Sequence, residues 1–185
     1  MHRILLTSVV VAVAVAATPL AAQTLDTAAA SPEHQAYRAK QAWLLRDGGK
    51  WSADNPTFDS TAEGSPRSFG YQFTQGWGAD VMRLKITGRV GEKTYLYWDG
   101  FYYWHPVKNR LMYVAQGTGG AIAAGESVDA AGTLAFEIIT PDGTVALHRD
   151  GDTRLSDEAF QSQSFRYTAS GWTPNQTLTW RRVNE

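Results

Sequence analysis

The histidines of this sequence are its most direct candidates for catalysis or metal binding. Histidine occurs at positions 2, 34, 105 and 148, without a His-x-His or His-x-x-x-His spacing, so a zinc site would need partners from distant parts of the chain. His34 falls in the first turn of a predicted helix, where we expect a solvated side chain. His105 and His148 fall in predicted strands and are candidates for a general base or a ligand-binding group. For both, a hydrogen-bonded structural histidine is the alternative.

The other short motifs in the chain indicate no reaction. Asp150-Gly151-Asp152 begins like a calcium-binding loop but lacks the later ligands and the closing Glu, and we interpret it as a turn. The glycine-rich run 117–120 is followed by neither a helix start nor a Lys that would hold phosphate, which favours a bend or a rim loop. The chain has no Gly-x-Ser-x-Gly motif. The sequence therefore identifies neither a reaction nor a cofactor.

Aromatic residues are frequent, with 7 Trp, 8 Tyr and 7 Phe, and they concentrate between residues 95 and 105. If this segment is one strand, its side chains alternate between two faces. One face carries Tyr95, Tyr97, Phe101, Tyr103 and His105, and the other carries Leu96, Trp98, Tyr102 and Trp104.

A ligand cavity and a filled aromatic core are the two interpretations of this cluster. Tyr hydroxyls and a His among buried rings each need a polar partner, which favours the cavity. Which face of the strand points inward stays open. The residues predicted to bind a small hydrophobic or amphipathic ligand are Tyr97, Trp98, Tyr103, His105 and His148.

One helix and a series of strands would position these residues. Ser31-Pro32-Glu33 is typical of a helix start, and Gly48-Gly49 of a helix end. From Trp51 onward, period-two alternation and frequent turns predict an antiparallel meander, closed as a barrel or folded as a sandwich. Residues 95–105 form one long strand or, if Asp99-Gly100 is a turn, two short ones. Further strands are predicted at Leu111–Gln116, Ala121–Val128, Thr133–Thr140, Thr144–Arg149, Phe160–Thr168 and Gln176–Val183.

The clearest turn is Thr140-Pro141-Asp142-Gly143-Thr144. Proline suits the first turn position, and glycine supplies the residue with positive φ. The register that follows places Phe136 opposite His148 and Glu137 opposite Leu147. Glu137 and His148 then point to opposite faces of the sheet, so they form no local acid–base pair.

Several short motifs resemble those of lipocalins and of a group of bacterial calycin-like domains of unknown function. Gly49-Lys50-Trp51 resembles the Gly-x-Trp that opens the first lipocalin strand, and Trp180-Arg181-Arg182 resembles the last strand, whose Arg packs over that Trp. Tyr103-Trp104-His105-Pro106 is similar to an aromatic-x-Asp-Pro turn of the calycin-like group, with His105 in place of Asp. Gly171-Trp172-Thr173-Pro174 is similar to the group's final hairpin.

This resemblance implies an up-and-down calycin barrel with an internal cavity and no particular activity. It also implies that an arginine of the last strand lies on Trp51. Arg182 shares its strand face with Leu178 and Trp180, so we expect Arg182 rather than Arg181; without such a contact, a sandwich is as good an interpretation. The last strand lacks the Arg-x-Tyr pair of fatty-acid-binding relatives, and no histidine matches that of haem-binding nitrobindin-like relatives.

The N-terminal residues 1–22 resemble a bacterial secretory signal, which predicts a periplasmic or secreted protein. Residues 23–30 are interpreted as a flexible tether and 31–185 as one mainly β domain. The chain has 17 basic residues, of which Arg3 is removed with the signal, so the mature chain has 16 basic and 18 acidic residues. Such a near balance of charge indicates no nucleic-acid partner. An outer-membrane barrel is disfavoured, because neither face of Phe160–Thr168 is apolar enough to meet lipid. The chain has no cysteine, so it has no disulfides.

Three functions stay open at the level of sequence. The first is an exported binding protein with a small, partly apolar ligand in an aromatic-lined barrel. The second is an enzyme on the same scaffold, with His105 or His148 as general base. The third is an envelope protein that makes only protein contacts. A polar cavity that contains a His and a carboxylate together would favour the enzyme.

Overall fold

The structure is a computed structural model that describes residues 30–184. The predicted signal peptide, and all of the predicted tether except Ala30, lie outside the described residues. The described part contains one α-helix, α1 (Pro32–Leu45), a 3-10 turn (Arg46–Gly49) and ten β-strands. The strands are β1 Lys50–Asp54, β2 Ser68–Gln75, β3 Val81–Val90, β4 Lys93–His105, β5 Arg110–Gly117, β6 Ile122–Ser127, β7 Leu134–Ile139, β8 Val145–Arg154, β9 Ala159–Thr168 and β10 Gly171–Arg182.

The helix begins and ends where the sequence predicts. Ser31 caps it, because its Oγ accepts a hydrogen bond from the His34 amide at 3.2 Å. The chain reverses through Gly48 and Gly49, which have φ of 82° and 68°. A Cβ on Gly49 would lie 2.2 Å from the carbonyl oxygen of Phe73, so glycine is required at the entry to β1.

Each strand pairs antiparallel with the next, and β1 pairs with β10 to close the sheet into a barrel. The predicted up-and-down meander is therefore confirmed, and the barrel rather than the sandwich is correct. α1 lies across one end: the Tyr37 hydroxyl donates to the carbonyl of Asp80 in the β2–β3 loop, and the Trp43 indole donates to that of Asp157 in the β8–β9 loop. Since loops of a meander alternate between ends, the β5–β6 and β7–β8 turns lie at the opposite end.

The first helical turn is more buried than expected. The prediction of a solvated His34 is wrong: its ring stacks on Trp104 at 4.9 Å between centroids, and its Nε2 lies 2.8 Å from a carboxylate oxygen of Asp80. The cause is the position of α1, which presses its first turn onto the end of β4.

Residues 95–105 belong to one long strand, β4, rather than to two strands with a turn at Asp99-Gly100. Gly100 points into the barrel, where an added Cβ would lie 2.4 Å from the Cβ of Ala115. The Asp-Gly pair thus marks a close approach of β4 and β5 and not a hairpin turn.

The β7–β8 hairpin has the predicted register, with Phe136 opposite His148 and Glu137 opposite Leu147. The interpretation of Asp150-Gly151-Asp152 as a turn is wrong, because β8 continues through these residues to Arg154. Asp150 pairs with Ser164 and Asp152 with Ser162 on β9. This ladder with β9 outweighs the low intrinsic strand preference of Asp and Gly.

The last strand is also longer than predicted. β10 starts at Gly171, and its register with β9 shifts between Pro174 and Gln176. Proline lacks the amide donor that a regular ladder needs, so an irregularity at this point lets the strand continue.

The predicted contact between the first and last strands is present. The guanidinium carbon of Arg182 lies 4.1 Å from the centre of the Trp51 ring, while Arg181 is exposed. Trp51 and Trp180 are among the most completely buried side chains of the described chain. The α1 end of the barrel is thus closed by packed aromatic rings and one stacked arginine.

Candidate ligand-binding cavity

The alternation of β4 decides which aromatic residues face the barrel interior. Trp98, Gly100, Tyr102 and Trp104 point inward, and Trp104 is buried under α1. The other face, with Phe101, Tyr103 and His105, lies outside. The sequence left open which face of this strand points inward, and the structure shows that it is the face with Trp98, Tyr102 and Trp104.

Tyr97 departs from the alternation because the pairing of β3 and β4 is irregular at this point. Ile86 pairs with Trp98 and Thr87 with Leu96, so Tyr97 has no partner residue on β3. Its ring covers Gly88, where an added Cβ would approach it to 2.5 Å, and lies 6.3 Å from the ring of Phe69. Tyr97 and Trp98, although adjacent in sequence, both line the same cavity.

This cavity has a volume of about 240 Å³ and lies inside the barrel, toward the end opposite α1. Its walls come from most strands of the barrel. They are Phe69, Tyr71, Ile86, Tyr97, Trp98, Tyr113, Ala123, Phe136, Ile138, His148, Asp150, Ser164, Asn175, Gln176, Leu178 and Trp180.

Of the five residues predicted to bind a ligand, the structure brings three together and leaves two elsewhere. Tyr97, Trp98 and His148 line the cavity. Tyr103 lies on the outer face of β4, opposite Val81 and Met112 of the neighbouring strands. His105 lies at the outer end of the same strand, where its Nδ1 accepts a hydrogen bond from the Lys108 amide at 3.3 Å.

The floor of the cavity carries a carboxyl group, that of Asp150. Its Oδ1 atom is buried, and no hydrogen-bond donor of the described chain reaches it. Burial, with a smaller contribution from the charge of Asp152, raises the pKa of Asp150 to about 7. Asp150 therefore changes its charge near neutral pH.

A second, smaller space of about 40 Å³ lies beneath α1, and Tyr71 and Asp150 line both spaces. Asp152 faces this smaller space and pairs with Lys40 of α1 at 2.9 Å. The two aspartates thus have different surroundings: Asp152 has a cationic partner, and Asp150 does not.

His148 lies between Asp150 and the far end of the barrel. Its ring stacks on Phe136 at 5.5 Å between centroids. Burial and, to a smaller extent, the positive charge of cross-strand Arg166 lower the pKa of His148. The imidazole is therefore neutral at neutral pH, and it can accept a hydrogen bond or a proton.

Tyrosine hydroxyls surround the same interior. Burial raises the pKa of Tyr71 and Tyr102 well above the usual range, and that of Tyr113 as well. All three phenols are neutral in the folded protein, so they can donate or accept hydrogen bonds without adding charge.

Sequence reasoning predicted His148 but missed the carboxyl group of Asp150. Asp150 follows His148 by two residues, so both point to the same side of a strand. Extending the predicted strand beyond Arg149 would have found this pair. Trp180 falls in a predicted strand, but the alternation of one strand alone does not say which strands meet across the interior.

Three further observations bear on the class of protein. Among the described residues there is no cluster of three or more His, Asp or Glu side chains suited to a metal ion. None of the described helices is long and apolar enough to cross a membrane. Comparison of the chain with protein-family models, curated proteins and solved structures found no match.

Proposed function

We propose that this protein is a calycin-like binding protein that holds a small, partly apolar ligand in the cavity beside Trp98. The observation that carries the proposal is the combination of aromatic walls with a few inward polar groups, chiefly His148 and Asp150. Such a combination is typical of small-molecule sites, in which apolar walls supply affinity and the polar groups fix orientation. The volume of about 240 Å³ suits a ligand of small size.

The resemblance to lipocalins supports the proposal in part. The glycine at the entry to β1, Trp51 and the stacked Arg182 occupy the places that the resemblance requires. A lipocalin barrel has eight strands, whereas the described chain forms ten, so the resemblance concerns the meander and its closure rather than the size of the barrel. The sequence-based prediction of a signal peptide adds that the ligand is met in the periplasm or outside the cell.

Blocking the cavity tests the proposal. Ile138 lines the cavity, and its neighbour Ile139 is exposed. We expect the dye 8-anilinonaphthalene-1-sulfonate to bind the folded wild-type protein saturably, with a stoichiometry near one. Ile138→Trp should abolish this binding, and the matched control Ile139→Trp should leave it unchanged. Dye binding that is equally insensitive to both substitutions, or a failure of both the dye and the smaller uncharged probe benzyl alcohol to bind, would mean that the rings form a filled core and that the protein acts through its outer surface.

One observation favours a second function, acid–base catalysis. His148 and Asp150 lie on the same face of β8 and line the same cavity, which places a neutral imidazole near a carboxyl group. Of the two histidines considered as a general base, His148 is in the cavity and His105 is on the outer face. The substrate would be a small molecule of the same kind as the proposed ligand.

A set of small aromatic esters of 4-nitrophenol tests this second function. Turnover by the wild-type protein that is lost in His148→Gln but kept in His105→Gln would identify His148 as the base. Turnover that survives in His148→Gln contradicts the catalytic function, and so does the absence of turnover in the wild-type protein.

A further inference from the structure

We infer that the ligand carries a protonated amine and that this amine binds the carboxylate of Asp150. The inference rests on the proposed function, because it names the chemical class of ligand for the same cavity. Its starting point is the Oδ1 atom of Asp150, which is buried and has no donor in the described chain, in a residue that lines the cavity. A buried acceptor without a donor costs free energy, and more if it is charged, so a ligand that supplies the donor removes that cost.

The protein itself leaves the charge of Asp150 unbalanced. Within residues 30–184 no ion pair involves Asp150, and the nearest cation of the smaller space, Lys40, is held by Asp152. Its cross-strand neighbours are Leu134 and Ser164, of which neither carries a charge. A buried carboxylate is stabilised chiefly by a cation, which makes a charged amine a better partner than a neutral hydroxyl.

The walls around Asp150 suit an organic cation. Aromatic faces attract a cation within about 6 Å of the ring centre, most strongly those of Trp and Tyr. The rings that share the cavity with Asp150 include Tyr71, Trp98, Phe136 and Trp180. The apolar part of the same ligand would lie among Ile86, Ile138 and Leu178, which line the rest of the space.

The other titratable and charged groups around Asp150 do not reverse this preference. They come from six elements and are Lys40 on α1, Tyr71 on β2, Tyr102 on β4, Tyr113 on β5, His148 and Asp152 on β8, and Arg166 on β9. The tyrosines and His148 are neutral near pH 7, and Lys40 and Asp152 neutralise each other. Arg166 is exposed and lies opposite His148 rather than Asp150.

Three probes of similar size and different charge test the inference: benzylamine, benzyl alcohol and phenylacetate. Binding is followed by titration calorimetry and by the total tryptophan fluorescence, to which Trp98 and Trp180 of the cavity contribute. We expect benzylamine to bind at least about tenfold more tightly than the other two, and Asp150→Asn to remove that preference. The matched control is Asp99→Asn, since Asp99 lies on the outer face of β4 and pairs with Arg83. It should leave all three affinities unchanged.

The affinity for benzylamine should also decrease as the pH is lowered. The amine stays charged between about pH 8 and about pH 5.5, while Asp150 with its pKa of about 7 becomes protonated. Binding should therefore be weaker at the lower pH in the wild-type protein, and the loss should be clearly smaller in Asp150→Asn, where His148 remains to titrate in the cavity. A simple packing role of Asp150 would not produce this difference.

The outcomes separate this inference from the proposed function. If the sulfonate dye binds and Ile138→Trp blocks it, but benzylamine is not preferred or Asp150→Asn has no effect, the amine inference is wrong and the cavity remains a binding site. If neither the dye nor any of the three probes binds, both are wrong. A preference for phenylacetate would mean that protonated Asp150 donates to an anion, which also overturns the inference.

Discussion

Arg182 lies flat against Trp51, with its guanidinium carbon 4.1 Å from the centre of the ring. The same guanidinium donates to the carbonyl oxygens of Trp43 and Arg46, and its Nε lies 3.1 Å from a carboxylate oxygen of Glu158. Strand β10, the first strand and the end of α1 are thus joined through one side chain. The contact stabilises the closure of the barrel, where the first strand pairs with the last.

Replacing this arginine should destabilise the protein more than replacing its neighbour. A lysine at 182 keeps the charge but cannot stack as a plane or reach several carbonyl oxygens together. We expect Arg182→Lys to lower the free energy of unfolding by about 1–2 kcal/mol. Arg181→Lys, on the exposed face of the same strand, should change it by less than about 0.5 kcal/mol. Urea unfolding followed by Trp fluorescence measures both; equal midpoints would show that the stacked geometry contributes no stability.

The closure and the β7–β8 hairpin were predictable because each depends on a few local residues. Gly-x-Trp followed by period-two alternation indicates a first strand, and the side of β10 that carries Leu178 and Trp180 indicates which arginine points inward. In the hairpin, Pro141 and Gly143 set the turn, and the turn sets the register of every later pair.

The β7–β8 turn offers a test of backbone conformation. Gly143 has φ of 84°, and the Gly143 amide donates to the carbonyl of Thr140 at 2.9 Å. An alanine cannot adopt this φ without strain, so Gly143→Ala should cost about 1 kcal/mol of unfolding free energy. Gly119 in the β5–β6 turn has no such φ and has open space around it, so Gly119→Ala should be neutral or slightly stabilising. Thermal unfolding of the two variants distinguishes them.

The site was harder to predict, since it depends on contacts between distant strands. Both faces of β4 are aromatic, and only closure of the barrel decides that Trp98 faces the interior. The irregular pairing that turns Tyr97 inward depends on how β3 and β4 pair with each other. The sequence of either strand alone therefore does not predict it. Asp150 was missed because Asp and Gly favour turns locally, whereas the ladder with β9 holds them extended.

The two faces of β4 should differ in their effect on binding. Trp98 lines the cavity and Tyr103 lies outside, so Trp98→Leu should weaken binding of the sulfonate dye several-fold, and Tyr103→Leu should leave it unchanged. Fluorescence titration of the folded variants measures this. Circular dichroism of each variant shows that it is folded before the affinities are compared. Weaker binding in Tyr103→Leu alone would place the site on the outer face of the strand.

Asp150 should make the protein less stable as pH rises. Its pKa is raised to about 7 in the folded protein, against an ordinary value of 3.8. Between these values the folded state binds the proton more tightly than the unfolded chain, so stability falls as pH rises from about 4 to about 7 and stays low above that. The lost free energy has an upper limit of about 4 kcal/mol, since each pKa unit corresponds to about 1.4 kcal/mol.

Comparison of the wild-type protein with Asp150→Asn isolates this contribution from other titrating groups. His148, whose pKa is lowered, acts in the opposite direction: it destabilises the folded state as pH falls below its unfolded value, and it is present in both proteins. We expect Asp150→Asn to be more stable than wild type at about pH 8, with the difference shrinking toward about pH 4. Urea unfolding at a series of pH values gives this difference directly. A difference that does not vary with pH would show that Asp150 titrates alike in the folded and unfolded chains, so that its burial imposes no free-energy cost on the charged form.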